Sequence, residues 1–163
     1  VKTYNLTVPD LTKLIRDVEE QKKLLQAKTD ELASRLAEIG AELASIEFDA
    51  AQYDGLKDCT VTVEHRGDGH YAVIADGEAV LFIEFGAGAT YGYGHPEADT
   101  YGMGPGTYPG GKGHWDDPRG WWYKDDAGIS HHTYGTAPAM PMYNAVKYLE
   151  QHINEIWQEV LAD

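Results

Sequence analysis

Two prolines three residues apart, Pro138 and Pro141, follow closely on Gly135 and constrain this chain more than any other feature. Glycine permits a backbone turn with positive φ, and proline cannot donate a backbone hydrogen bond. The first turn of a helix does not need that donor, so Pro141 predicts the start of a last helix. After it, Met142, Val146, Leu149, Ile153, Ile156 and Val160 recur in steps of four and three. That spacing gives one apolar stripe about five turns long. Residues 135–163 therefore predict a rigid elbow that delivers an amphipathic helix onto a core, which the rest of the chain must supply.

Residues 9–50 predict a helical region. The row Leu11, Val18, Leu25, Leu32, Ile39 and Ile46 repeats every seven residues and is apolar throughout. Its companion row, Ile15, Lys22, Thr29, Leu36 and Leu43, is polar at two positions, which makes a heptad seam with a wet middle. The stripe either covers the domain's own sheet or also packs on a neighbouring subunit. A two-helix hairpin broken near Gly40 is an alternative to one long helix, because glycine costs about 1 kcal/mol in a helix interior.

The period then changes. Within residues 58–85, Thr60-Val61-Thr62-Val63-Glu64 alternates, a turn follows at Arg66-Gly67-Asp68-Gly69, and Tyr71-Ala72-Val73-Ile74-Ala75 returns. This predicts a β-hairpin whose inward row is Val61, Val63, Ala72 and Ile74 or their neighbours. The almost wholly apolar run 79–85 fits a buried strand or a short buried helix, and Glu84 inside it must be paired or at the edge of burial. Residues 86–118 read as a loop insertion, with ten glycines from Gly86 to Gly113 and Tyr91, Tyr93, Tyr101 and Tyr108 between them. Loops of this length are functional or become ordered against a partner. Residues 119–134 predict a second hairpin through Trp121-Trp122-Tyr123. Together these elements predict one α+β domain over residues 1–163. It is a small, mainly antiparallel β-sheet packed by a long N-terminal helix and a C-terminal helix, with a long Gly/Tyr-rich loop insertion.

Composition narrows the function classes. A net charge of −14 on 163 residues disfavours a nucleic-acid-gripping surface, because phosphate contacts need Lys and Arg. No run approaches 18 apolar residues and no signal-peptide pattern opens the chain, so the expectation is a soluble protein made in the cytoplasm, without membrane contact. The single cysteine, Cys59, excludes an internal disulfide, and Asp58 beside it would raise the thiol pKa. Six of the seven histidines lie between residues 65 and 132, and with Asp116, Asp117 and the pair His131-His132 they invite a His/Asp metal-dependent hydrolase. The spacing argues against it, since adjacent histidines on a strand point to opposite faces and no His-Glu-x-x-His or Cys-x-x-Cys occurs. No catalytic residue, metal or cofactor is therefore expected. The aromatic loop offers a second alternative, a carbohydrate-binding module, because its tryptophans and tyrosines can stack on sugars. As interface anchors, the candidates are Tyr91, Tyr93, Tyr101, Tyr108, Trp115, Trp121 and Trp122.

The order of parts resembles a known family. Glu84-Phe85-Gly86 precedes the glycine-rich insert, and Gly135-Thr136-Ala137-Pro138-Ala139-Met140-Pro141 precedes the last helix. The two match the Glu-Phe-Gly segment and the Gly-Thr-x-Pro-x-x-Pro elbow of the tail-completion, or head–tail connector, proteins of long-tailed bacteriophages. In this resemblance Glu84, Phe85, Gly86, Gly135, Pro138 and Pro141 are structural motif residues. The resemblance implies a structural protein of the virion neck, assembled in the host cytoplasm as a ring of six or twelve copies at the head–tail junction. Its partners would be further copies of itself and other neck and tail proteins, and DNA would pass through the ring without specific binding.

Overall fold

The computed structural model describes residues 3, 7–88, 94–103, 117–125 and 127–162. Helix α1 (Val8–Ala50) is a single helix of 43 residues. The Thr7 hydroxyl accepts from the Asp10 N–H at its start, Pro9 stands in the first turn, and Asp10 places an acid at the positive end of the helix dipole. The helix runs unbroken through Gly40, so the two-helix alternative does not occur. A Cβ at Gly40 would lie 3.1 Å from Leu149 Cδ1 and 3.8 Å from Val73 Cγ2, so the missing side chain lets two other elements close on the helix.

The hairpin forms as β1 (Thr60–His65) and β2 (Tyr71–Asp76), antiparallel, with Val61 opposite Ala75 and Val63 opposite Val73. Directly opposed residues share a face. The inward row on β2 is therefore Val73 and Ala75, the neighbours of Ala72 and Ile74. The apolar run becomes a short helix, α2 (Val80–Phe85). Before it, the Asp58 carboxylate accepts from the N–H groups of Glu78 at 2.7 Å and Ala79 at 2.9 Å, which turns the chain out of β2 and into the helix. A second antiparallel hairpin, β3 (Trp121–Lys124) and β4 (Ser130–Thr133), makes a separate two-stranded sheet rather than extending the first. Helix α3 (Pro141–Ala162) begins at the proline, as the elbow predicts.

Phe48, Ala51, Ala79, Val80 and Ile83 form the core, with Tyr53, Cys59, Val61, Ala75, Ala139 and Met142 packed around them. Helix α1 touches both strands of the first hairpin and α3, while α3 rests on α1 and to a lesser degree on α2. The two long helices run antiparallel: Arg35 pairs with Glu159 at 2.9 Å at one end, and Asn144 donates to Glu47 at 2.7 Å near the other.

One expectation needs correction here. The buried face of α1 is Ala37, Gly40, Ala44 and Phe48, a line of mostly small residues, and not the heptad row. Ile46 lies two residues from both Ala44 and Phe48, hence on the opposite side of the helix, and is 57% exposed. Of the insert, residues 86–88, 94–103 and 117–118 are described. Its segment 94–103 includes one 3-10 turn (Asp99–Tyr101) and buries His95 and Ala98.

Candidate functional site

The two motif segments that carry the family resemblance meet in space and form a clasp. Ala87 and Thr136 exchange backbone hydrogen bonds of 2.9 and 3.0 Å, and the Ala139 N–H donates to the Ile83 carbonyl at 2.8 Å. Gly86 (φ 75°) lets the strands meet, since a Cβ there would lie 2.8 Å from Pro138 and from the Thr136 carbonyl. Across the bridge, a Cβ on Gly135 (φ 105°) would collide with the Ala87 carbonyl oxygen.

Glu84 completes the clasp. It is 5% exposed, and its Oε2 accepts from the Met142 N–H at 2.8 Å while Oε1 accepts from the Tyr143 N–H at 3.0 Å. The N–H groups of a helix's first turn have no partner within the helix. Here Pro141 has none to offer, Glu84 takes the next two, and the Asn144 N–H donates to the Met140 carbonyl at 2.8 Å. The negative charge also sits at the positive end of the α3 dipole. His95 supplies a third donor: its Nδ1 accepts from the Glu97 N–H at 3.1 Å, so the ring proton is on Nε2, 3.2 Å from Glu84 Oε1. Phe85 and Tyr143 pack against the imidazole with centroids at 4.4 and 5.2 Å. The Asn144 amide joins the Ala139 carbonyl to Glu47, which fastens α1 to the same point. Met140, with φ 60°, holds a left-handed conformation that a non-glycine residue adopts only under such constraint. Both Glu84 oxygens are thus occupied within a buried hydrogen-bond network that ties α2, segment 94–103 and the start of α3 together.

The aromatic candidates separate. Trp121 and Tyr123 turn inward and line a half-open pocket of about 170 Å³ with Tyr53, Phe82, Gly135 and Thr136. Trp122 turns outward and is 71% exposed, edge-on to His132, which is in turn edge-on to Tyr134. Tyr101 is exposed beside Phe85. Tyr91, Tyr93, Tyr108 and Trp115 lie outside the described residues. The adjacent histidines take opposite faces: His131 bonds Asp125 at 2.8 Å and stacks on Tyr123, while His132 belongs to the outer patch. The His131 hydrogen bond, helped by the Ile129 N–H, holds the Asp125 carboxyl below the usual carboxylate range. Among the described residues no three His, Cys, Asp or Glu side chains are grouped closely enough to hold a metal ion. Burial, with the nearby Asp58 and Asp49, pushes the Cys59 thiol pKa up, away from nucleophilic reactivity.

An extended exposed apolar surface among the described residues is on α1. No residue between positions 8 and 36 is buried, and Val8, Leu11, Ile15, Val18, Leu24 and Leu25 are all exposed, Ile15 by 60%. Because α3 ends near the level of Arg35, the first twenty or so residues of α1 extend past the body as an arm with an apolar stripe. Sequence reasoning found this stripe but did not find His95, Asn144, His132 or Tyr134 as structural partners. His95 and Asn144 act across long sequence separations, and no periodicity marks them. Among the described residues no helix is long and apolar enough to cross a membrane. No protein-family model matches the chain, and neither a curated protein nor a solved structure matches it.

Proposed function

We propose that this chain is a structural subunit that assembles with copies of itself, and that the assembly is a ring at the head–tail junction of a long-tailed phage. The observation that carries the first part is the apolar stripe on the α1 arm. Five large apolar side chains, Val8, Leu11, Ile15, Val18 and Leu25, stand exposed along one side of the helix, with no partner surface among the described residues of their own subunit. Contiguous exposed apolar surface of this kind marks a protein–protein contact. An amphipathic helix of this length also takes most of its stability from packing rather than from propensity.

The neck assignment rests on the resemblance of Glu84-Phe85-Gly86 and residues 135–141, and the way those segments clasp gives the motif a physical purpose. Glu84 requires a helix N-terminus to bond, Gly86 and Gly135 require each other's backbone at close range, and Pro141 supplies the helix start. The clasp sets the direction of α3 relative to α1, which an assembling subunit must keep constant from copy to copy. The outward patch of Trp122, His132 and Tyr134 supplies a further contact of the kind that anchors interfaces. Negative-stain imaging of the purified protein, alone and with neck partners, tests this reading. It predicts closed rings with a central channel. Single particles that stay at subunit size under both conditions would contradict it.

The same outer patch favours carbohydrate binding as a second reading, because an exposed Trp beside a Tyr makes a stacking platform for sugar rings. Trp122→Ala separates the two: saturable glycan binding lost with this substitution supports the second reading, and altered assembly supports the first.

A further inference from the structure

The α1 arm and the outer face of α3 match each other position by position. On the arm, Val8, Leu11, Ile15, Val18, Lys22 and Leu25 follow in steps of three and four, so they form one strip about 26 Å long with a single charge in it. On α3, Val146, Glu150, Ile153, Trp157 and Leu161 also follow in steps of three and four and form a strip about 22 Å long, again with one charge. Val146, Ile153 and Leu161 are exposed by 42–50% and Trp157 is half-buried, so this flank of α3 is only partly covered within the subunit, where Ala145, Ile156 and Val160 are the buried positions. The lone charges are opposite in sign.

Laid antiparallel with Lys22 against Glu150, the strips stay in register. Going towards the start of α1, Val18, Ile15 and Leu11 lie four, seven and eleven residues from Lys22. Going towards the end of α3, Ile153, Trp157 and Leu161 lie three, seven and eleven residues from Glu150. On the other side, Leu25 comes three residues after Lys22 and Val146 four before Glu150. The arm cannot reach this face of its own α3, because it points past the end of that helix. The two helices already pack antiparallel within the subunit, with an α1 base on an α3 acid in the Arg35–Glu159 pair.

Electrostatics favours the same occupant. Copies that carry −14 each repel one another over most of their surface. Residues 8–28 are the exception, with five bases against four acids, whereas α3 has one base against three acids. A parallel arm-to-arm coiled coil in register would instead set Lys22 against Lys22, at a cost in stability. We infer that the α1 arm of one copy docks antiparallel along the Val146–Leu161 face of α3 in the next copy, with Lys22 facing Glu150. This makes the contact head-to-tail, the type that closes into rings when the rotation per copy allows it. Glu150 already bonds Lys147 of its own helix at 2.7 Å, and at the contact it would bridge both cations.

The inference rests on the self-assembly reading and is tested separately from it, by weight-average mass against concentration for the full chain. Ile15→Asp should abolish association and leave the unfolding midpoint equal to that of wild type diluted to monomer, since Ile15 is not buried among the described residues of the subunit. Lys22→Glu and Glu150→Lys should each weaken association about tenfold or more, and the double swap should restore it. Two outcomes would overturn the docking while leaving self-assembly intact: association indifferent to Ile15→Asp, or single reversals that the double swap does not repair. A strict dimer lost on Ile15→Asp but unaffected by Glu150→Lys would also overturn it, in favour of arm-to-arm pairing. A wild-type chain that stays monomeric would overturn the self-assembly reading itself, and the docking with it.

Discussion

Removing the Glu84 carboxylate leaves the N–H groups of Met142 and Tyr143 and the Nε2–H of His95 without acceptors in a buried site. Glu84→Ala is expected to destabilise the fold by about 3–5 kcal/mol, the range for breaking a buried charged network on one side. Chemical denaturation reads this, and a loss below about 1 kcal/mol would show that water replaces the carboxylate. Asp58 gives a pH-dependent counterpart. The N–H groups of Ala79 and Glu78 hold its carboxyl below the usual carboxylate range. With the folded-state pKa depressed, its contribution is fully present above the ordinary Asp value and is lost as pH falls through the folded value. Wild type should therefore lose stability in that acid window more steeply than Asp58→Asn. Superimposable pH profiles would contradict the capping role.

Helix α1 presents two faces with different tasks, and paired substitutions distinguish them. Leu149 reaches Gly40 across the α1–α3 contact, so Leu149→Asp should destabilise the subunit by about 2–4 kcal/mol through burial of an unpaired charge. Val18→Asp, on the exposed arm, should leave the unfolding free energy within about 0.5 kcal/mol of wild type at dilutions where both are monomeric. Equal effects would mean that the arm folds back on its own body. The elements themselves were legible from periodicity: both hairpins, the long helix and the start of α3 at Pro141 lie where the apolar spacing and turn residues put them. What the pattern concealed is which face of α1 the body uses. A heptad row of Leu, Val and Ile is conspicuous, whereas the packing face is Ala37, Gly40 and Ala44, whose value lies in their smallness. The clasp was hidden for another reason. Glu84 and its acceptor role depend on Met142 and Tyr143, 58 and 59 residues away, and hydrogen bonds of that range leave no local trace. Glu84 in an apolar run signalled only that a partner had to exist.

At the scale of the whole molecule, the acidic charge and the exposed apolar stripes act together. In the proposed assembly, the charge would keep free subunits apart and the stripes would commit them to one contact geometry. In the proposed ring, the −14 carried by each subunit would favour a channel wall that repels phosphates. The assembled protein should show no salt-sensitive affinity for duplex DNA at about 50 mM ionic strength, where basic binders hold tightly. Retention on DNA that falls with added salt would point to a basic surface that the sequence does not supply. The central claim is that the subunit assembles with itself, and the mass of the unmodified full chain under native conditions addresses it most directly. Native mass spectrometry is expected to show a closed species of six or twelve subunits that grows at the expense of monomer as concentration rises. A single monomer peak across the whole concentration range would contradict the account.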